Sequence, residues 1–370
     1  MTKLETFPVK PRWLFLKVHT DEGIIGLGEP ILEGRIETCA AAVGELERYL
    51  IGKDPRRIQH HWQAMYRFSF YRGGPILTSA ISGVEQALWD ITGKSLGVPV
   101  YQLLGGACRD RIRVYSHGGA STPEAAAEVI RQKKEAGFTM VKTGVPQKHP
   151  VYHLDSPSVM DHAVEIFAAM REEAGPDFDL AIDFHGAIPP AMAKQLIKAY
   201  EPYSPFFIEE PINCQNVDVM AELARSTHIP IATGERLFTK WAFREVLEKQ
   251  AATVLQPDLC HAGGIMECRF IAAMAETYYG SVAPHNPLGP ISLAAALQLA
   301  ACTPNFLVQE QVSLGDGYLT EPFAVKEGFI DLPTKPGLGI EIDEDAIQDK
   351  LGIEFRNPER FHIDGSVSDW

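Results

Sequence analysis

Asp183, Glu209 and Glu235 each close a short, mostly apolar run: Leu180-Ala181-Ile182-Asp183, Phe206-Phe207-Ile208-Glu209, and Ile229-Pro230-Ile231-Ala232 with Thr233-Gly234-Glu235 behind it. Three carboxylates that end successive strands and face one another repel strongly unless a cation sits between them. An all-oxygen set of this kind suits magnesium, one ion per subunit, because that ion keeps positions open for water or substrate. A surface salt bridge is the ordinary fate of any one such acid, but three in phase point to a shared ligand.

Two histidines extend the constellation. His185 lies two residues after Asp183, and alternation along a strand would put both side chains on one face, within reach of a substrate held by the metal. His285 ends another run, in Ala283-Pro284-His285-Asn286, and Asp258 ends the run before it. On neighbouring strands the carboxylate can accept a hydrogen bond from one ring nitrogen, which fixes the tautomer and raises the basicity of the other. That is the arrangement of a general base. Lys142 and Glu310 stand at the ends of two further runs.

These residues need a scaffold that brings strand ends together. Between Arg113 and Gln311 eight candidate strands, at 114–116, 140–142, 180–183, 206–209, 229–232, 253–256, 281–284 and 307–310, alternate with amphipathic helical patterns. The repeat of roughly 25 residues is the size of a βα module. Ser121-Thr122-Pro123-Glu124 reads as a capping box with proline in the first turn and Gly137 as its stop; Ser156-Pro157 and Gly175 bracket another helix. No Gly-x-Gly-x-x-Gly follows an early strand, so a closed β/α barrel is preferred to an open doubly wound sheet. In a barrel the C-terminal strand ends converge on one mouth. Ahead of it, Trp13–Val18 and Ile24–Glu29 read as a hairpin, followed by helical patterns at 36–50 and 79–96. Tyr71 and Arg72, in the loop Tyr71-Arg72-Gly73-Gly74-Pro75, are candidates to face substrate, the alternative being a plain connector.

Composition excludes other classes. With 45% hydrophobic and 22% charged residues over 370 positions, the chain can build a packed interior. A formal charge of −14 argues against nucleic acid or an anionic membrane as partner. No apolar run is long enough to span a bilayer, the first residues lack a signal-peptide pattern, and the six scattered cysteines suit reduced thiols, so the expected location is the cytoplasm.

Taken together, Ile182-Asp183-Phe184-His185-Gly186, Phe207-Ile208-Glu209-Glu210-Pro211, Ala232-Thr233-Gly234-Glu235-Arg236, Gln256-Pro257-Asp258, Pro284-His285-Asn286-Pro287-Leu288-Gly289-Pro290 and Gln309-Glu310-Gln311 resemble the mandelate racemase branch of the enolase superfamily. Within it they are most similar to the dehydratases of galactonate-type sugar acids, from the Trp13 hairpin to Thr334–Gly339. The resemblance implies an α/β fold, a modified (β/α)7β TIM-like barrel with an α+β N-terminal capping domain completed by the C-terminal segment. The expected boundaries are a lid over 1–112, a barrel over 113–325 and a returning segment over 326–370.

It further implies that Asp183, Glu209 and Glu235 hold magnesium and that His285, paired with Asp258, takes the proton beside the substrate carboxylate. His185 would protonate the departing 3-hydroxyl, and a protonated Glu310 would donate to the enediolate. Lys142, Tyr71 and Arg72 would contact the anionic sugar acid, and a homo-oligomer is expected by analogy. The chain departs from the pattern at Lys142-Thr143-Gly144: racemases of this branch carry a second lysine, and galactonate dehydratases an asparagine, where Gly144 stands. Other contacts could come from His149, Tyr152 and His153 in the following loop. A dehydratase of another acid sugar, or an epimerase using His185 and His285 as opposed bases, therefore stays open. A non-catalytic paralogue would be expected to lack a ligand or base, and none is missing.

Overall fold

The computed structural model describes residues 1–147 and 149–369. The N-terminal part opens with an antiparallel sheet of β1 (Lys3–Val9), β2 (Trp13–His19) and β3 (Ile25–Gly28), in that order. The hairpin expected from the sequence is β2–β3. Strand β1 is additional, and it carries Pro8 because it lies at the sheet edge, where a missing N–H is tolerated. Helices α1 (Ile36–Leu50), α2 (Ile58–Arg67), α3 (Pro75–Leu96) and the single turn α4 (Val100–Leu103) complete this lid. Helix α3 begins four residues before the expected start, with Pro75 in its first turn, where the missing N–H costs nothing.

The barrel follows as β4 (Arg111–His117), α5 (Pro123–Glu135), β5 (Met140–Gly144), α6 (Ser158–Ala174), β6 (Asp179–Asp183), α7 (Pro190–Tyr200) and β7 (Ile208–Glu209). It continues through α8 (Val217–Ser226), β8 (Ile231–Thr233), α9 (Thr239–Glu248), β9 (Val254–Leu255), α10 (Ile265–Glu276), β10 (Ser281–Val282), α11 (Pro290–Cys302) and β11 (Gln309–Glu310). Consecutive strands from β4 to β10 pair in parallel, and β11 returns beside β4. The ring closes where Val282 N–H donates to Asn305 (2.9 Å) and Leu307 N–H donates to the Val282 carbonyl (2.8 Å). Among the described residues, eight parallel strands with seven intervening α-helices make this a modified TIM barrel. The Thr122 hydroxyl caps α5 by accepting from Ala125 N–H, one residue after Ser121, the cap that the capping-box spacing predicts, and Pro123 is the first helical residue.

One buried side chain from each strand segment fills the barrel: Tyr115, Met140, Ala181, Phe207, Ala232, Val254, Ala283 and Val308. The pleat has a period of two, so the inward residue one step further toward the C-terminal end lies in the layer above. For seven of the eight segments that residue is His117, Lys142, Asp183, Glu209, Gln256, His285 or Glu310. In the eighth it is Gly234, where the chain bends, and the next residue is Glu235.

Buried lid carboxylates seat the lid on this mouth. Glu29 accepts from Gly289 N–H (2.8 Å) and Ser292 N–H (2.9 Å) at the start of α11. Glu85 accepts from Ile265 N–H (2.7 Å) and Met266 N–H (2.9 Å) at the start of α10. Each thus satisfies helix N-terminal donors from a remote element. After the barrel, β12 (Phe329–Asp331) pairs antiparallel with β4, and the chain passes α12 (Glu344–Gln348) back to the lid, where Lys10 N–H donates to Lys350 (2.7 Å) and Gly352 N–H to Pro8 (2.9 Å). Among the described residues no helix is long and apolar enough to cross a membrane.

Candidate active site

The layer above the barrel core opens into a cavity of about 520 Å³. Carboxylate oxygens of Asp183, Glu209 and Glu235 lie within 4.8 Å of one another, so the structure brings together the three acids that the sequence put in phase. Lys142 threads between them. Its Nζ is 2.7 Å from Glu209, 2.9 Å from Glu310 and 3.4 Å from Asp183. Gln256 donates to the other Glu209 oxygen at 2.6 Å.

The charges set one another's ionisation. Burial and the facing Asp183 push the Glu209 carboxyl well above its usual range, against the pull of Lys142. Burial also opposes ionisation of Glu235, but the His285 ring beside it prevails and draws that carboxyl down. Lys142 is buried too, yet Glu209 and Glu310 hold its ammonium far above the ordinary lysine range. A cluster so dominated by carboxylate oxygens fits a hard divalent cation in its composition, its spacing and the repulsion such an ion would relieve.

The His285 and Asp258 pair forms as expected. Nδ1 of His285 is 2.8 Å from Asp258 Oδ2, and Nε2 on the other side is 3.1 Å from Glu235. Burial disfavours the imidazolium, but Glu235 and Glu310 outweigh it and raise the ring's pKa well above its ordinary value. Beneath Asp258 lies His261, whose Nδ1 is 3.2 Å from Ser79 of the lid and whose Nε2 is 3.5 Å from Glu33.

His185 reaches the site by a route that strand alternation does not describe. Strand β6 ends at Asp183, and His185 sits in a turn with φ of 51°. Its N–H donates back to Asp183 Oδ1 (2.7 Å), and its Nε2 lies 3.1 Å from Asp183 Oδ2. The ring therefore ends over Asp183 because the chain curls, not because it stays extended.

Glu310 is where expected. Its carboxylate accepts from Lys142, from His117 (2.5 Å) and from Asn286 N–H (2.8 Å). Burial works against ionisation, yet Lys142 and His285 hold this carboxyl well below its usual range. These contacts suit a carboxylate that accepts, whereas the expectation from burial among anions is a protonated donor.

The structure does not bring Tyr71 and Arg72 to the cavity. Tyr71 is 82% exposed, and both residues border a separate shallow depression with Tyr66 and Leu77. The lid side of the cavity is formed instead by Arg12, Leu32 and Glu33, joined by Asn357 and Pro358 of the C-terminal segment. Tyr152 is also elsewhere, stacked on His362 at 4.4 Å, and the described part of its loop lines another groove. Gly144 pairs in register with Asp183, and a Cβ there would stand 3.9 Å from His185 Cε1, so the glycine leaves room beside that ring.

His117, Gln256, Arg12 and Arg236 escaped the sequence reading. His117 and Gln256 carried a usable signal, since each lies two residues beyond an inward core residue. Arg12 carried none, because its approach depends on how the lid is seated.

Comparison with known proteins adds an independent line. Residues 6–105 match the model of the mandelate racemase / muconate lactonizing enzyme N-terminal domain, and residues 124–346 that of the enolase C-terminal domain-like family. The chain is 47% identical to a D-galactonate dehydratase from Cronobacter sakazakii and 48% identical to one from Ralstonia pickettii, in both cases over 100% of each chain. An enolase from Agrobacterium radiobacter, assigned provisionally as a galactarate dehydratase and solved with Na and L-malate, superimposes with a TM-score of 0.92 at 32% identity, over 100% of this chain and 99% of that one. A member of the enolase superfamily from Salmonella Typhimurium gives a TM-score of 0.89 at 30% identity, over 95% and 98% of the two chains.

Proposed function

The chain belongs to the mandelate racemase / muconate lactonizing enzyme family of the enolase superfamily, and from that premise we propose that it is a hydro-lyase that dehydrates a galactonate-like aldonate to a 2-keto-3-deoxy sugar acid. The observation that carries the reading is the joining of two sites in one cavity, the Asp183–Glu209–Glu235 cluster and the Asp258–His285 pair, with His285 Nε2 3.1 Å from Glu235. The division into lid, barrel and returning segment at 112 and 325 belongs to the same reading.

A hydrogen next to a carboxylate is very weakly acidic, and its removal adds charge to a group already anionic. Magnesium, held by Asp183, Glu209 and Glu235, would polarise the substrate carboxylate and offset that charge. Lys142, clamped between Glu209 and Glu310, adds a fixed positive charge at the same place. With Glu235 engaged by the cation instead of the ring, His285 would take the proton on Nε2 while Asp258 holds Nδ1 and steadies the imidazolium that results. Glu310 acts through Lys142 and His117, whose donors it orients, rather than as a donor itself. Hydroxide leaves poorly, so loss of the 3-hydroxyl needs an acid, and His185 at the opposite lip supplies it.

Relatives near 47% identity that act on D-galactonate favour that substrate class, whereas the room beside His185 at Gly144 favours a different acid sugar. Incubation with magnesium and a panel of aldonates and aldarates, with 2-keto acid formation as readout, decides between them. Failure of every sugar acid to yield a 2-keto-3-deoxy product would sink the reading.

A further inference from the structure

We propose that Arg236, paired with the buried Glu210, is a positioning residue that holds the His185 turn in the conformation from which the ring protonates the leaving hydroxyl. This rests on His185 being the acid, as read above.

After β6 the chain takes two successive left-handed residues, His185 (φ 51°) and Gly186 (φ 61°). A side-chain-bearing residue adopts that conformation at a cost, and keeps it only when its surroundings over-determine it. Contacts from three strand ends do so here. Asp183 Oδ1 accepts the His185 N–H at 2.7 Å, the Glu210 carbonyl accepts the Gly186 N–H at 2.8 Å, and Arg236 Nη2 donates to the His185 carbonyl at 3.2 Å.

Arg236 is suited to the last task. It follows Glu235 directly, so its backbone is held by the end of β8. The same Nη2 forms an ion pair with Glu210, whose side chain is fully buried and also lies near the Thr233 hydroxyl. Glu210 is itself left-handed, at φ 40°, so the turn after β7 and the turn after β6 are tied by one guanidinium. The space above Gly186 is taken by that guanidinium: a Cβ at 186 would fall 2.0 Å from Arg236 Nη2. Glycine is thus required here for two reasons, its positive φ and the arginine lying on it. Both contacts come from one nitrogen of a planar, rigid guanidinium, which holds the carboxylate and the carbonyl in a fixed relation that a flexible ammonium keeps less well.

Arg236 also borders the cavity, so a role in substrate binding is the rival to be separated. The full-length chain with magnesium and its sugar-acid substrate is assayed for 2-keto acid formation, for deuterium uptake into recovered substrate, and for Mg²⁺ affinity by calorimetry. Arg236→Gln and Arg236→Lys are compared with His185→Asn as reference. Misplacing the acid lowers the dehydration kcat of Arg236→Gln about 10²-fold, leaves KM and Mg²⁺ affinity unchanged, and leaves deuterium uptake intact. Arg236→Lys recovers part of the loss. A raised KM with unchanged kcat, a weakened Mg²⁺ affinity, or a parallel fall of uptake and dehydration overturns the proposal.

If Arg236→Gln does not fold, Glu210→Gln carries the same test with the same expected split. When His185→Asn separates uptake from dehydration but the Arg236 variant does not, only this inference falls. When His185→Asn itself fails to separate them, the acid assignment falls and this inference with it.

Discussion

At the seam between lid and barrel, Glu29 and Glu85 are buried and each accepts two backbone N–H groups at a helix start; at the barrel mouth, Asp183, Glu209 and Glu310 are buried and Glu235 nearly so, and they lie among ionisable side chains. The two groups differ in what can replace their partners. A backbone N–H at a helix start is part of the fold and cannot be exchanged for a ligand. Lys142, His117 and His285 are rotatable side chains, so the mouth acids keep the capacity to rearrange around a cation and a substrate. Burial is common to both; what the mouth acids have and the seam acids lack is a set of ionisable side-chain partners.

The largest effect that would sharpen this contrast lies in the two histidines of the mouth. His285→Asn should lower dehydration by about 10²–10⁴-fold and abolish exchange of the substrate α-proton with solvent deuterium. His185→Asn should stop dehydration while exchange continues, as followed by proton NMR of recovered substrate. The reverse pattern would swap base and acid while leaving the metal cluster untouched.

Next comes the cation. Chelation should remove turnover and added Mg²⁺ restore it, and full activity in a chelated sample would show the metal assignment wrong. Glu209→Gln should also lose turnover, yet the metal-free variant should melt no lower than the metal-free parent, because it relieves repulsion with Asp183. A seam acid should behave in the opposite way. Glu85→Ala leaves the Ile265 and Met266 N–H groups unpaired, at about 1–3 kcal/mol for each buried donor, while the protein that remains folded keeps its kcat. Loss of kcat without loss of stability in Glu85→Ala would erase the distinction.

The smallest effect is on pH dependence, and its sign differs between the seam acids and Glu310. Burial raises Glu29 to about 8 and Glu85 to about 7 from 4.5, against the N–H groups they accept. The folded chain therefore keeps protons that the unfolded chain releases, and this contribution to stability is full below 4.5 and lost as pH rises through about 7 to 8. Denaturant midpoints should fall between roughly pH 5 and 9, and the Glu29→Gln/Glu85→Gln double variant should show a shallower slope. Glu310, drawn down by Lys142 and His285 despite burial, contributes stability above 4.5 that is lost on acidification. An identical slope in the double variant would refute the seam assignment.

Much of the site was legible because its code is local. Period-two alternation names the inward residues of each strand, and barrel topology sends every C-terminal strand end to one mouth, so Asp183, Glu209, Glu235, Asp258, His285 and Glu310 could be grouped from residues alone. The start of α5 was equally local, to within the one residue that separates Ser121 from the cap at Thr122. Strand β1 was less legible, since Pro8 weakens its pattern and only its place at a sheet edge permits it. The exposed-looking loop at Tyr71 and Arg72 reads as a candidate to face substrate, and Arg12, from a different turn of the same lid, lines the cavity instead.

By itself, then, the sequence determined the barrel modules, the acids and histidines at their ends, and through these the family and its chemistry, because each depends on interactions among residues a few positions apart. Tertiary structure alone decided how those groups pair. Lys142 between Glu209 and Glu310, His117 on Glu310, the curl that returns His185 over Asp183, and Arg236 across two turns all depend on strand stagger and lid seating. Those distances span different strands and domains, and a shift of one ångström would undo them, whereas no local pattern of residue types carries information at that scale.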